Sequence, residues 1–144
     1  MSPPEHWKDA LVDVPLPDLS LLGVEVQQKL RQAQESLVVL CREPSATSDS
    51  LSAGYGETGR LYHAYDLLDS AEACYRNAQV LAPREFRWSY SLADVRRWQG
   101  NIDQSIAAFE AALQLNPDYV PALVALGEIR LEIGQMDQAR SLFE

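Results

Sequence analysis

The chain has 144 residues, of which 47% are hydrophobic, so it is long enough for one ordinary domain with a core. Twelve basic residues stand against 21 acidic ones, and the net charge of -9 would repel both a nucleic-acid backbone and an anionic membrane surface. No run approaches the roughly 18 apolar residues of a membrane span, so neither nucleic-acid binding nor membrane insertion is expected.

Residues 1–23 are predicted to form an extended, proline-containing segment. Pro3, Pro4, Pro15 and Pro17 interrupt any regular element, and the later part, VPLPDLSLLG, is rich in apolar side chains. Leaving those side chains in water forgoes roughly 1.5–3 kcal/mol each relative to full burial. We therefore expect residues 15–22 to be ordered by contact with the helices, in cis or on a neighbouring molecule, the alternative being a linker.

The beginning of the chain has neither the basic opening nor the apolar stretch of a secretory signal. We expect a soluble protein, cytoplasmic or, if a signal has been removed, periplasmic. Cys41 and Cys74 lie far apart, without the C-x-x-C spacing of a zinc site or a disulfide framework. They are interpreted as small buried hydrophobes, and no metal or cofactor is predicted.

Residues 24–51 are predicted to be an amphipathic capping helix and a loop. Apolar residues recur at helical spacing from Val24 to Cys41, at Val26, Leu30, Ala33, Leu37 and Leu40. The stretch EPSATSDS that follows has the composition of a loop, and Ser48 or Ser50 is expected to cap the next helix.

From Ser52 onward the sequence repeats. Three windows begin 34 residues apart, at Ser52, Phe86 and Val120, giving repeats near 52–85, 86–119 and 120–144. Pro83 and Pro117 follow the apolar ends of helices, where a residue without an N–H stops one helix and begins the next. These signals predict helices near 50–65, 68–82, 84–98, 102–115, 119–132 and 136–144, with the first repeat having Asp66 where the others have a turn glycine.

The recurring positions alternate small and large residues. The first window has Tyr55, Gly59, Tyr62, Ala71, Tyr75, Ala78 and Pro83. The second keeps Leu92, Phe109, Ala112 and Pro117, and the third keeps Leu123, Leu126, Gly127, Ala139 and Phe143. This pattern resembles the tetratricopeptide-repeat family, with departures at Thr58, Ser89, Ala93, Arg96, Ser105 and Arg130. The resemblance implies an all-α solenoid of tandem helix-turn-helix repeats, here with an N-terminal capping helix.

The resemblance also implies that the first helix of each pair lines a concave surface that receives a partner polypeptide. The corresponding positions, projected from the family, are Arg60, His63, Arg87, Tyr90, Asp94, Arg97, Trp98, Val124, Glu128 and Leu131. We expect the arginines and Tyr90 to line one continuous surface, unless the arginines are solvated or paired with Glu57, Glu85 and Asp94. Trp88 is expected in the core, whereas Trp98 could lie in the core or on the surface. Charge reversal at Arg97 is expected to weaken partner capture and to change stability by no more than about 0.5 kcal/mol.

Some members of the family hold the acidic C-terminus of chaperones through lysines, asparagines and an arginine. Gly56, Arg60, Ser91, Pro121 and Ala125 occupy those positions here, and only Arg60 is basic. A role in binding chaperone tails is therefore not expected.

Catalysis is also not expected. Within the repeats, His63, Asp66, Asp69 and Cys74 form the one cluster of titrating residues, and no glycine-rich phosphate loop is present. The sequence predicts a protein-interaction scaffold that is not an enzyme.

Self-association is the alternative function. The third repeat stops at Glu144, before its second helix reaches the expected proline, so an apolar face is expected to need a cover. This predicts a homodimer through the C-terminal repeat, or a longer parent chain. The residues expected on this face are Leu126, Ile129, Ile133, Leu142 and Phe143.

Overall fold

The computed structural model describes residues 7–144, and within that range every regular element is an α-helix. In chain order these helices are α1 (Trp7–Ala10), α2 (Val24–Arg42), α3 (Ser48–Ala64), α4 (Leu68–Leu81), α5 (Phe86–Trp98), α6 (Ile102–Leu115), α7 (Val120–Glu132) and α8 (Met136–Phe143). The predicted all-helical class is confirmed. The prolines at positions 3 and 4, predicted to interrupt regular structure, lie outside the described residues.

The bounds of α3 to α8 agree with the sequence-based helices to within two residues. The N-cap of α3 differs from the prediction: Thr47, rather than Ser48 or Ser50, accepts a hydrogen bond of 3.0 Å from the Ser50 backbone N–H. Ser50 belongs to the same capping box, because its side chain accepts from the Thr47 N–H at 2.9 Å. Thr47 and Ser50 thus each accept a hydrogen bond from the other's backbone N–H.

Each tight turn inside a helix pair contains a residue in the left-handed region. Gly100 and Gly134 have φ values of 83° and 81°, and Asp66 has the equivalent role in the first pair with φ of 58°. Aspartate is among the few residues other than glycine that adopt this conformation readily. The turn therefore keeps its geometry in the first repeat.

The chain divides into two compact units, the first ending at Pro83 and the second running from Arg84 to Glu144. In the first unit α3 packs on α4, and α2 packs on α3 and buries Leu30. Gln34 of α2 donates a hydrogen bond of 2.8 Å to the Tyr62 hydroxyl of α3. The helix predicted to cap the first repeat thus lies against that repeat.

Gly59 lets α3 and α4 approach closely. A methyl group at this position would lie 3.0 Å from both the Cys74 Cβ and the Tyr75 ring, and both of those residues are fully buried. Buried Ser52 of α3 also donates a hydrogen bond of 2.8 Å to the Ala78 carbonyl of α4. A small residue and a buried hydrogen bond therefore fix the spacing of this helix pair.

The second unit has its own apolar core, to which α5, α6 and α7 contribute. The core residues are Ala93, Ala108, Phe109, Ala122, Leu126 and Ile129. Ser105, which departs from the family pattern, is buried and donates a hydrogen bond of 2.7 Å to the Ala93 carbonyl. Arg130, another departure, bonds to Glu110 at 2.7 Å and to Gln135. These departures are thus explained by polar contacts that tie neighbouring helices together.

The proline-containing segment contacts the first unit. Within the range predicted to be extended, Trp7–Ala10 form a single helical turn, since these four residues contain neither proline nor glycine. Residues 11–22, which we call the strap, have no helix or strand. Leu19 of the strap is buried, whereas Leu16 and Leu21 are exposed. The predicted ordering by contact thus applies to some of its apolar side chains and not to others.

Candidate functional site

The candidate interaction face of the second unit lies on α5 and α7, the first helices of their pairs. Arg97 on α5 reaches across to α7, where its guanidinium lies 3.3 Å from a Glu128 oxygen and 2.8 Å from a Glu132 oxygen. Glu128 and Glu132 are one helical turn apart, so both carboxylates point to the same side of α7. Arg97 therefore holds α5 beside α7 on this face.

The Arg97 side chain is only 23% exposed. Burial opposes its charge, but the hydrogen bonds that Arg97 donates to Glu132 and Glu128 outweigh that effect and raise the pKa of the guanidinium above its usual value. Both acceptors lie on α7, whereas the sequence suggested pairing with Asp94 on the same helix. The expectation that charge reversal would barely affect stability assumed a solvated arginine, and that assumption is wrong.

Tyr90 lies in an aromatic cluster of the second unit. Its ring centroid is 5.7 Å from that of Phe109 and 5.2 Å from that of Tyr119, which in turn is 4.8 Å from Phe86. Burial, followed by the nearby charge of Asp94, raises the pKa of the Tyr90 phenol. Its ring therefore supports the packing of α5 on α6 and α7, and a substitution there would alter the fold of the unit as well as its surface.

The two tryptophans of α5 differ in environment. Trp88 is buried, as expected, whereas Trp98 is 72% exposed at the end of the helix. Val124 and Leu131 on α7 are also exposed. The first helices of this unit thus present large apolar side chains to water beside the Arg97 ion pairs.

Arg87 is paired near the start of α5. Its guanidinium makes two hydrogen bonds to the Glu85 carboxylate, at 3.0 and 3.2 Å, and lies 5.3 Å from the centre of the Trp88 ring. Glu85 is also the N-cap of α5, accepting from the Arg87 backbone N–H at 3.2 Å. The hydrogen bond from the Arg87 side chain is the main reason that the pKa of Glu85 is lowered. The alternative of an arginine paired with Glu85 therefore applies here.

The predicted site residues of the first unit are on α3. Arg60 pairs with Glu57 at 3.3 Å, and both side chains are well exposed, so the pair contributes little to stability. The His63 Nδ1 atom lies 3.2 Å from the Tyr75 hydroxyl, which joins α3 to α4. His63 therefore takes part in packing within its helix pair.

The titrating residues around His63 do not form a nucleophilic site. Cys74 is fully buried, and burial raises the pKa of its thiol to about 12, so a thiolate is disfavoured at neutral pH. In residues 7–144 no group of three or more metal-ligating side chains is close enough to hold an ion. Across the same range, no helix combines the length and apolar character needed to cross a bilayer.

The apolar face predicted at the C-terminal end is only partly on the surface. Leu126 and Ile129 are buried in the core of the second unit, so for these two residues the prediction of an uncovered position is wrong. They face α5 and α6 because helical periodicity places them opposite the solvent side of α7. Ile133 and Phe143 are exposed and Leu142 is half-buried. Of the predicted face, Leu126 and Leu142 line an open cleft of about 540 Å³, together with Leu113 and Arg130 among others.

Two groups of functional contacts were missed by the sequence analysis. Glu132 lies four residues after Glu128, and that spacing on one helix face was a usable signal. Asn77 and Ser70 on α4 make hydrogen bonds to the strap, but no local pattern in the sequence indicates them. Their partners lie 65 and 55 residues away along the chain.

The paired helices, the left-handed turn residues and the small-large packing identify a helical-repeat protein. Residues 99–144 match the model of the tetratricopeptide-repeat family, and the resemblance predicted from the sequence is confirmed. Comparison with curated proteins gave no significant match.

Solved structures of the protein MamA have a similar fold. One MamA crystal structure is 19% identical, with a TM-score of 0.66 over 87% of this chain and 78% of that chain. A double mutant of MamA from strain RS-1 gives 18% identity and a TM-score of 0.71, covering 87% of this chain and 65% of that one. The 41-end form of MamA from Desulfovibrio magneticus RS-1 is 18% identical, with a TM-score of 0.70 over 87% of this chain and 66% of that chain. This chain therefore spans about two thirds of the length of the last two, and the likeness concerns the fold.

Proposed function

We propose that this chain is a protein-interaction scaffold, and that the face of α5 and α7 in its second unit holds an extended partner polypeptide. The observation that carries the proposal is the exposure of Trp98 on α5 together with that of Val124 and Leu131 on α7, the first helices of two repeats. A tryptophan left in water gives up much of the free energy that its burial would provide, and tryptophan is enriched among the residues that dominate binding interfaces. Apolar partner side chains seated on this face would remove these residues from water.

Charge on this face favours a basic partner. Arg97 is already hydrogen-bonded to two carboxylates, whereas Glu128 and Glu132 are 53% and 59% exposed and retain room to accept further hydrogen bonds. A partner lysine or arginine could share these carboxylates with Arg97, while an acidic tail would meet net negative charge. The scaffold is therefore proposed to bind a segment that combines an apolar anchor with basic residues.

The experiment is affinity capture with the full chain as bait, followed by direct binding of the captured partner. Trp98→Ala/Leu131→Ala is the test variant, and Leu115→Ala, an exposed apolar residue on α6, is the matched control. Truncating a central anchor costs about 2 kcal/mol or more, so the double variant should bind at least roughly 30-fold more weakly while the control stays near the unaltered chain. Equal binding by all three proteins would exclude this face as the site.

Substitutions at Tyr90 or Arg97 are unsuitable as the primary test. Tyr90 packs against two other rings and Arg97 connects α5 to α7, so either change would alter the unit itself. Glu128→Gln/Glu132→Gln is a better probe of charge, because each glutamine oxygen can still accept a hydrogen bond from Arg97 while its negative charge is gone. It should weaken a basic partner at low salt, with the difference shrinking as salt rises.

Self-association is the second candidate function, supported by the exposure of Ile133 and Phe143 at the C-terminal end of the second unit. Burying these side chains against a second copy would remove apolar surface from water. Light scattering at several concentrations should then show a dimer that Phe143→Asp dissociates. A constant monomer mass over the whole concentration range would argue for the scaffold alone.

A further inference from the structure

The strap is bound to α4 through its backbone. The Asn77 side-chain amide accepts a hydrogen bond of 2.8 Å from the Val12 N–H and donates one of 2.8 Å to the Val12 carbonyl. Ser70, two turns earlier on the same face of α4, donates a hydrogen bond of 2.7 Å to the Pro15 carbonyl. Asn77 is 1% exposed, so its amide makes this contact in the interior of the first unit.

A β-strand pairs with its neighbour through both the backbone N–H and the carbonyl of a single residue. The N–H and the carbonyl of a single extended residue point to the same side, and an antiparallel partner exchanges two hydrogen bonds with them. Here the carboxamide of Asn77 takes the place of that partner strand. Such recognition depends on the backbone and tolerates many side chains, and specificity comes from the pockets for alternate side chains.

Burial alternates along residues 12–14 of the strap and again along residues 17–19, with exposed Pro15 and Leu16 between them. Val12, Val14 and Leu19 turn towards the protein, whereas Asp13 and Asp18 are exposed. Val12 and Val14, together with Asp13 and Leu16, border a cleft of about 310 Å³ between the strap and helices α2 and α3. Its walls on those helices include Leu37, Cys41, Tyr55 and Tyr62. The surface beneath the strap therefore combines a side chain that bonds to backbone groups, Asn77, with apolar walls. These are the two parts of a peptide-binding groove.

The attachment of the strap is limited. Pro15 and Pro17 have no N–H to donate, so a continuous ladder of hydrogen bonds cannot form. Leu16 is 78% exposed, and Gly23, which joins the strap to α2, has open space around it. A segment held by a few contacts next to an unobstructed glycine can leave its groove without unfolding the helices below.

We propose that residues 12–19 are a tethered ligand in a peptide-binding groove of the first unit. The groove accepts in trans an extended polypeptide of the same pattern, with apolar residues at the positions of Val12, Val14 and Leu19. This site is separate from the α5 and α7 face and does not depend on the function proposed for it. Because the tether gives the strap an effective concentration in the millimolar range, a free peptide binds only to the fraction of molecules in which the strap has left.

The test measures binding of a fluorescent peptide corresponding to residues 10–20 to full-length protein. Val12→Pro in the protein removes the N–H that donates a hydrogen bond to the Asn77 side chain. This loosens the strap, while the groove stays unaltered. The peptide should bind this variant about ten-fold more tightly than the unaltered chain, which corresponds to losing one buried hydrogen bond. Leu21→Ala, at a strap position that is 96% exposed, is the matched control and should leave the affinity unchanged.

Two further variants separate backbone reading from general stickiness. Adding Asn77→Ala to the Val12→Pro chain should reduce peptide binding at least ten-fold, and so should proline at the Val12 position of the peptide. A peptide with alanine there keeps both backbone groups and should retain most of its affinity. Unchanged affinity for the Val12→Pro chain, or equal binding after Asn77→Ala, would overturn the proposal.

Hydrogen exchange on the unaltered chain gives a readout that needs no variant. If the strap leaves by itself, the Val12 amide exchanges much faster than amides in the middle of α3 and α4. Exchange of the Val12 amide as slow as that of the helix amides would show that strap and helices open together, and the strap would then be a fixed part of the fold.

Discussion

Reversing the charge of Arg97 should destabilise the second unit, because its guanidinium is the link between two carboxylates and α5. The Arg97 guanidinium lies 3.3 Å from the Glu128 carboxylate and 2.8 Å from the Glu132 carboxylate. Arg97→Glu would replace this cation with a third carboxylate. Arg97→Met removes the charge and keeps an apolar stem of similar length. Comparing the two variants separates the lost attraction from the added repulsion.

The magnitude follows from the exposure of the partners. Glu128 and Glu132 are each more than half exposed, so each ion pair contributes about 0.5 kcal/mol after screening, and Arg97→Met should cost about 1 kcal/mol. Two like-charge contacts at roughly 6 Å in a largely aqueous environment add about 0.5–0.7 kcal/mol each, which brings Arg97→Glu to about 2 kcal/mol. For a chain of this size the corresponding fall in Tm is roughly 4–8 °C.

The assay is urea and thermal unfolding followed by circular dichroism, in low and high salt. In a Glu128→Gln/Glu132→Gln background, Arg97→Glu has no carboxylates to oppose, so its cost should fall below about 0.5 kcal/mol. High salt should reduce the cost in the unaltered background as well. Additive free energies of unfolding, with the same cost in both backgrounds, would refute the proposed coupling between Arg97 and α7.

Three other changes test the packing and the titrating groups. In urea unfolding, Gly59→Ala should lower the free energy of unfolding by about 1–2 kcal/mol, because the added methyl group meets fully buried groups on α4. Gly127→Ala should cost less than about 0.5 kcal/mol, because the Phe143 ring that its methyl group meets on α8 is 51% exposed and can rotate away. In thiol titration at pH 8, Cys74 should react only after unfolding, since burial raises its pKa to about 12, whereas half-buried Cys41 should react first; equal rates would contradict this. Glu85 has a lowered pKa in the folded state, so its contribution to stability is present above its ordinary pKa of 4.5 and is lost as the pH falls below that value. Glu85→Gln should therefore make the free energy of unfolding depend less on pH in the acid range.

The repeat pattern predicted the helices well because the signals for helix ends are local. Prolines, turn glycines and apolar spacing act within a few residues, and α3 to α8 lie within two residues of their predicted bounds. The same local rules explain the two differences near the N-terminus. Thr47 caps α3 because its side chain has the right spacing to the Ser50 N–H, and Trp7–Ala10 form a turn where a proline-rich stretch suggested extended chain.

The surface residues were harder to predict, because a helix position fixes the face of a side chain and not its partner. Trp88 and Trp98 both lie on α5, and only the packing of the second unit decides that one is buried and the other exposed. Leu126 and Ile129 were expected on an uncovered end but lie in the core, since α5 and α6 already cover that side of α7.

By itself, the sequence determined that this protein is an all-helical repeat with a family resemblance in its packing residues, because periodicity and turn chemistry are short-range properties. Only the tertiary structure decided that Arg97 pairs with residues 31 and 35 positions away, and that Asn77 binds the backbone of Val12 across 65 positions. Contacts of that kind arise when packing brings distant segments together. Their energies depend on burial and orientation, which no local pattern of residues records.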